Sequence, residues 1–157
     1  MLPKNIFIKV SGDQYLNPAF IKWLKQLSKK SHLTILVGGG TQINEEFARR
    51  GFPVKKHGPL GRETETLEQR QIARDVLEKN QAILQDRLAQ KGISAEIIIP
   101  IVYIGTVLCP VNGDQMVRTA YLGFDELYVI TTPERAKNKK EVFTDLPKVK
   151  IKTFPHQ

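Results

Sequence analysis

The stretch IFIKVSG at residues 6–12, together with ILVGGG at residues 35–40, decides the fold class of this chain. Each stretch is a short apolar run, typical of a buried strand, that ends in glycine. Glycine has no Cβ atom, so its backbone can approach an anion closely, and a helix that starts there turns free N–H groups towards the anion. The two stretches therefore predict a phosphate-handling edge of an α/β sheet.

Strands and helices alternate along the rest of the chain. Asn17 and Pro18 combine a side-chain cap with a first-turn proline, and apolar residues follow at helical spacing. A long amphipathic helix is predicted over residues 64–91, and the nearly all-apolar residues 95–104 are predicted to form one strand buried on both faces. Further strands are predicted at residues 127–130 and 149–151.

This alternation with short turns predicts an α/β domain with a mainly parallel sheet. The carboxyl ends of parallel strands lie along one edge of such a sheet, and ligands bind at that edge. Gly12, Gly38–Gly40 and Asn112–Asp114 each follow a predicted strand or precede a predicted helix there. Their convergence is the main argument for a binding site.

The composition narrows the class of protein. Of the 157 residues, 41% are hydrophobic and 25% are charged, so we expect one ordinary globular domain over residues 1–157. No apolar stretch is long enough to span a bilayer and no signal peptide is expected, which predicts a cytoplasmic protein without a membrane partner. The single cysteine, Cys109, excludes an intramolecular disulfide.

The net charge of +8 is concentrated near the end of the chain. Residues 134–152 hold seven basic and three acidic side chains, which is half of the excess. This segment is either a solvated basic tail, the interpretation slightly favoured, or a surface that attracts phosphate, nucleotide or nucleic acid. No interleaving of basic and aromatic residues marks a nucleic-acid surface, so nucleic acid is not expected as a partner.

Lys9 and the three glycines are the first candidates for a site. A lysine within a strand is costly to bury without a partner, so Lys9 is interpreted as reaching a phosphoryl group, with an edge-strand lysine facing water as the alternative. Gly38, Gly39 and Gly40 favour close approach of a ligand, although a flexible turn would use the same residues. The spacing of neither a Walker loop nor a dinucleotide fingerprint is present.

Three further residues could contact a ligand. Arg62 offers a fork suited to carboxylate or phosphate, with a surface arginine as an equal alternative. Asn112 and Asp114 flank a glycine, and composition favours a tight turn in which Asp114 caps the next helix. The functional alternative is a carboxylate that organises a lysine or a magnesium ion. The three histidines show no metal-ligand spacing, so no protein metal site is predicted.

Taken in order, these motifs resemble the amino acid kinase family. The motifs are KVSG at residues 9–12, LVGGG at residues 36–40, Gly61-Arg62 before a long helix, and NGD at residues 112–114 before a short one. The family includes acetylglutamate kinase, bacterial uridylate kinase, carbamate kinase, aspartokinase and isopentenyl phosphate kinase. The resemblance runs from about residue 6 to residue 130 and more loosely to residue 151.

The resemblance implies a three-layer αβα sandwich and transfer of the γ-phosphoryl group of ATP, with Mg²⁺, to a carboxylate or phosphate of a small anionic metabolite. It makes Lys9 the catalytic lysine, oriented by Asp114, and it places Ser11, Gly12 and the three glycines at residues 38–40 around the phosphoryl group. Arg62 and Asn112 would bind the acceptor. The long helix over residues 64–91 would pair with its copy in a homodimer.

The chain also departs from the family. Family members are longer and hold most of the ATP site and a second phosphate-binding lysine in their C-terminal part. Lys137, Lys139 or Lys140 could replace that lysine, or a partner chain could supply nucleotide contacts. The alternative to a kinase is therefore a non-catalytic binding or regulatory protein, a pseudoenzyme that uses the same pocket to sense a phosphorylated or carboxylated ligand.

Overall fold

The computed structural model describes residues 2–55 and 57–156 and has an α/β architecture. The strands are β1 (Lys4–Val10), β2 (Ser31–Val37), β3 (Glu96–Ile98), β4 (Ile101–Ile104), β5 (Val107–Pro110), β6 (Glu126–Ile130) and β7 (Val149–Lys152). The helices are α1 (Pro18–Leu27), α2 (Gly40–Arg49), α3 (Leu67–Gln90), α4 (Gly113–Ala120) and α5 (Pro133–Val142).

A five-stranded sheet with the order β3-β2-β1-β6-β7 forms the centre of the molecule. Every neighbouring pair in it is parallel. The chain first builds outward from β1 through β2 to β3 and later returns to the other side of β1 with β6. The strand order therefore reverses at β1, and such a reversal opens a crevice at the carboxyl ends of the strands.

Helices cover both faces of the sheet, which makes the fold a three-layer αβα sandwich as expected. Alternate residues of β1 serve the two faces: Ile6, Ile8 and Val10 pack with α1 and α3, whereas Phe7 packs with α4 and with Phe143 just after α5. Helix α2 packs on α3 through a third apolar cluster. The apolar residues of β1 are all but fully buried, because a central parallel strand has a helical layer on each side.

Most predicted elements are confirmed, with small changes at their ends. Asn17 caps α1 by accepting hydrogen bonds from the N–H groups of Ala19 and Phe20. The long helix begins three residues later than predicted, because Thr66 and Gln69 form a capping box in front of it. The predicted loop over residues 51–61 has no helix or strand, and Lys56 within it lies outside the described residues.

The prediction of one buried strand over residues 95–104 is wrong. Pro100 lacks a donor for the sheet, and the chain turns there through a hydrogen bond from Ile101 N–H to the Ile99 carbonyl. Only β3 joins the main sheet, while β4 forms an antiparallel hairpin with β5. The hairpin exposes large apolar side chains, among them Tyr103 and Ile104.

The basic segment after residue 132 is not a solvated tail. It forms α5, which was not predicted, and the edge strand β7, which confirms the strand predicted at residues 149–151 and is one residue longer. No residue of α5 is buried, which explains why its sequence shows no apolar periodicity. Among the described residues, no helix is long and apolar enough to cross a membrane.

Candidate functional site

A cleft of about 340 Å³ opens at the edge of the sheet where β1, β2 and β6 end. This volume falls within the roughly 300–1,000 Å³ that is usual for small-molecule sites. The structure brings the nine residues that the sequence motifs nominated to this one cleft, and of the three alternative lysines only Lys139 lines it. The nine residues are Lys9, Ser11, Gly12, Gly38, Gly39, Gly40, Arg62, Asn112 and Asp114.

Lys9 reaches the cleft because of its place in the alternation of β1. It shares the parity of Phe7, so its side chain leaves the sheet on the side of α4. A Cβ atom built on Gly113, the first residue of α4, would lie 2.8 Å from the Lys9 Cε atom. Because Gly113 has no side chain, the Lys9 side chain has room to pass it and reach the cleft.

Asp114 connects two lysines. Its Oδ1 atom accepts a hydrogen bond from the Lys9 ammonium at 2.7 Å, and its Oδ2 atom accepts one from the Lys139 ammonium, also at 2.7 Å. The three side chains are between 13% and 20% exposed. One carboxylate therefore holds two largely buried ammonium groups side by side, and the cluster keeps a net positive charge.

The charge state of this cluster follows from its surroundings. Burial opposes ionisation of Asp114, but the ammonium groups of Lys9 and Lys139 outweigh it and hold the pKa of Asp114 below its usual value. Burial lowers the pKa of Lys9, and the neighbouring Lys139 adds to this effect while Asp114 opposes it. An anion that entered the cleft would relieve the repulsion between the two lysines.

The two glycine segments meet at the floor of the cleft. A Cβ atom on Gly12 would lie 3.0 Å from the Gly39 Cα atom and closer still to Gln42, so the two loops touch backbone to backbone. Gln42 ties them together by donating a hydrogen bond to the Gly12 carbonyl at 2.8 Å. Helix α2 begins at Gly40 without a side-chain cap, which leaves its first N–H groups available to an anion.

Arg62 lines the cleft and is 7% exposed. Its guanidinium donates to the Asn44 side chain at 2.8 Å and lies over the Phe47 ring, and its Nε atom has no partner among the described residues. Burial lowers the pKa of Arg62, although an arginine stays charged at any physiological pH. No carboxylate of the described residues pairs with this buried cation, which makes it a natural partner for an anionic ligand.

Asn112 lines the cleft, but its side chain is engaged locally. Its Oδ1 atom accepts from the Asp114 N–H at 2.9 Å and so caps α4, and its amide donates to the Gly58 carbonyl. The expectation that Asp114 caps this helix is therefore wrong. Asp114 lies inside the first turn, where its side chain is free to reach the lysines.

Ser11 also faces the cleft. Its Oγ atom is buried and has no hydrogen-bond partner among the described residues. A buried hydroxyl without a partner is costly, and a ligand oxygen would satisfy it.

Four further ionisable residues line the cleft: Asp13, His57, Arg135 and Lys139. Lys139 was only one of three interchangeable lysines in the sequence, and α5 selects it. Arg135, one turn earlier on α5, pairs with Asp13 at 3.1 Å across the rim. Desolvation and the nearby cations Arg62, Lys9 and Lys139 lower the pKa of His57.

The comparison with known proteins gives information on the fold. No protein-family model matches the chain, and no curated protein matches it. The crystal structure of smu.665 from Streptococcus mutans UA159 is similar to it, with a TM-score of 0.67 and 20% sequence identity over 81% of this chain and 72% of that chain. At this level of identity the likeness shows the fold alone, and it supports the three-layer α/β architecture.

Proposed function

We propose that this chain is an ATP-dependent phosphotransferase of the amino acid kinase type, acting on a carboxylate or phosphate group of a small anionic metabolite. The observation that carries the proposal is the Lys9–Asp114–Lys139 cluster beside the two glycine segments. Phosphoryl transfer depends on positioning and on stabilising negative charge, and this cleft supplies two fixed ammonium groups and a set of backbone donors.

In the proposed reaction, an oxygen of the acceptor attacks the γ-phosphorus of ATP. The bond between that phosphorus and the bridging oxygen to the β-phosphate breaks, and its electron pair stays on ADP. Lys9 and Lys139 would neutralise charge on the transferring group and on the leaving oxygen. Asp114 would hold both ammonium groups at a fixed separation, so that little reorganisation is needed during transfer.

The acceptor would lie between Arg62 and the lysine cluster. Arg62 offers a buried fork for its carboxylate or phosphate. The cleft is also lined by apolar residues, among them Leu36, Ile43, Ala73, Leu77, Pro100 and Pro110. This arrangement favours a small molecule with an anionic group and an apolar body.

Magnesium fits this site as a companion of ATP rather than as a resident of the protein. The two carboxylates that line the cleft, Asp13 and Asp114, are each paired with cations. Mg²⁺ is commonly held through substrate phosphates with few protein carboxylates. When bound with ATP it would neutralise phosphate charge and orient the phosphate chain.

The proposal is tested by following ADP formation from ATP and Mg²⁺ with a panel of small carboxylates and phosphates. Lys9→Ala and Lys139→Ala should each lower kcat by about 100-fold or more, since each removes a charge aimed at the transferring group. Lys140→Ala is the matched control, because Lys140 is the exposed neighbour of Lys139 on the same helix.

The outcomes separate two classes of protein. Turnover by the wild type that falls in both cluster variants and persists in Lys140→Ala supports the kinase. Unchanged turnover in Lys9→Ala would remove the catalytic assignment. Saturable binding of an acceptor that depends on Arg62, without any ADP release, would instead identify a non-catalytic metabolite sensor, the alternative of the same site.

A further inference from the structure

The middle of α3 contains a buried polar residue that the proposed chemistry does not yet use. Asn80 is 4% exposed and lies among apolar neighbours on the inward face of the helix, between Leu77 and Leu84. A buried amide in such a position destabilises the fold unless its hydrogen bonds are made.

Both ends of the Asn80 amide are occupied. Its Nδ2 atom donates to the Gly38 carbonyl at 3.0 Å, and its Oδ1 atom accepts from the Tyr15 hydroxyl at 3.2 Å. Tyr15 is itself only 6% exposed, so little water competes for this hydrogen bond. Since the Gly38 carbonyl can only accept, the amide is oriented with its Nδ2 donor towards the glycine loop, and its Oδ1 atom is left to accept from the Tyr15 hydroxyl.

The contact with Gly38 determines the direction of the next N–H group. The peptide bonds of the described residues are trans, so the Gly38 carbonyl and the Gly39 N–H point in opposite directions. With the carbonyl held by α3, the N–H of Gly39 is turned away from α3. Helix α3 packs on the face of the sheet opposite to α4, which carries Asp114.

Gly39 is also fitted to this contact by its lack of a side chain. A Cβ atom there would lie 2.8 Å from the Asn80 Nδ2 atom and 3.1 Å from Leu77. The N–H of Gly39 has no acceptor among the described residues, and Gly39 lines the cleft. A donor that is aimed, free and in the cleft is suited to a phosphate oxygen.

We infer that Asn80 is a positioning residue, which holds the Gly38 carbonyl so that the Gly39 N–H donates to a phosphoryl oxygen, and that Tyr15 holds the Oδ1 end of the Asn80 amide in place. The inference rests on the proposed function and extends it to a residue of α3 that does not itself line the cleft. It makes α3 the element that aligns the phosphate-binding loop.

The test measures ATP binding in the presence of Mg²⁺ by calorimetry, together with the amide resonance of Gly39. In the wild type, ATP should shift the Gly39 amide proton downfield. Asn80→Leu should abolish that shift and weaken ATP binding by about tenfold, the order expected for one hydrogen bond to a charged group. Leu84→Val is the control, because it alters the buried face of α3 one turn away from the loop.

Tyr15→Phe is a milder variant that tests the same contact if Asn80→Leu fails to fold. It removes one hydroxyl group and leaves the Asn80 donor in place, so ATP binding should weaken by only about threefold. Wild-type binding and a wild-type Gly39 shift in Asn80→Leu, or in Tyr15→Phe where Asn80→Leu does not fold, would overturn the inference. A wild-type chain that binds ATP without any shift of Gly39 would overturn it as well, while leaving the kinase proposal standing. A wild-type chain that does not bind ATP would overturn the proposed function and this inference with it.

Discussion

At the scale of single residues, the main feature of the cleft is its excess of positive charge. Lys9 is buried beside another cation, and one carboxylate serves both. Such an arrangement is costly in an empty site because two ammonium groups repel each other in a poorly solvated space. A bound polyphosphate would turn this cost into attraction, so the protonation of Lys9 should depend on the ligand.

We therefore expect ATP binding to take up a proton at alkaline pH. The pKa of free Lys9 lies below its ordinary value of 10.5, chiefly because of burial. Phosphate charge favours the ammonium form and raises that pKa, so between the two values the ligand recruits a proton, and affinity falls as the pH rises through the pKa of Lys9. Calorimetry in buffers with different ionisation enthalpies measures the uptake.

The control for this experiment is Lys140→Ala, which should retain the uptake because its side chain is exposed on the outer surface of α5. Lys9→Met should lose most of it. Binding heats that do not depend on the buffer in the wild type would show that Lys9 is already fully charged in the empty site.

At the scale of elements, the cleft depends on close packing between loops and helices. The loop before α2 is pressed between the first glycine loop and α3. Two adjacent glycines of this loop have different surroundings. A Cβ atom on Gly39 would meet Asn80 and Leu77, whereas one on Gly40 would have no neighbour within 4 Å.

These surroundings predict opposite effects of the same substitution. Gly39→Ala should destabilise the fold by about 1–3 kcal/mol, because the methyl group overpacks a rigid contact. The φ angle of Gly39 is −170°, so the effect is steric and not conformational. Gly40→Ala lies at the first position of α2 and should be neutral or stabilise by up to about 1 kcal/mol. Urea unfolding of both variants measures the difference, and equal effects would contradict the packing described here.

At the scale of the whole molecule, an anion could bind either in the cleft or to the basic surface outside it. The net charge is +8, and the β7 lysines Lys150 and Lys152 do not line the cleft. Attraction to a basic surface is screened by salt, whereas contacts in a partly buried cleft are screened much less.

Pyrophosphate should raise the unfolding temperature, and it should still do so at high salt. At roughly one hundred times its Kd the rise should be about 5–10 °C for a domain of this size. Arg62→Ala should reduce the rise. A double variant, Lys150→Ala with Lys152→Ala, removes two charges outside the cleft and should leave it unchanged. A rise that disappears with salt, or with the β7 lysines, would place the binding on the surface.

The homodimer expected through residues 64–91 stays a prediction. Helix α3 uses its apolar residues inside the molecule, against the sheet and α2. Its exposed residues are mostly polar, and they include Gln71, Asp75, Glu78 and Lys79. The hairpin of β4 and β5 exposes four large apolar side chains, whereas α3 exposes only Leu67 among its described residues. Light scattering of the wild type measures the oligomeric state directly.

The sequence by itself determined the fold class and most of the site. Apolar runs, caps and glycines act through neighbours a few residues away, so the Asn17 cap, the glycines that follow β1 and β2, and the parallel edge could be predicted from local chemistry. Pro100, which lies just after β3, is also a local signal, but the apolar run on both sides of it predicted one continuous strand.

Only the tertiary structure decided which lysine joins Asp114, that Asn112 caps α4, and that Asn80 holds the glycine loop. The sequence does not distinguish between Lys137, Lys139 and Lys140. Helix α5 has no apolar face from which its orientation could be predicted. Asn80 is separated from Gly38 by 42 positions. Such contacts depend on how separate elements pack against each other, and a pattern with the period of one helix or strand carries no information about that packing.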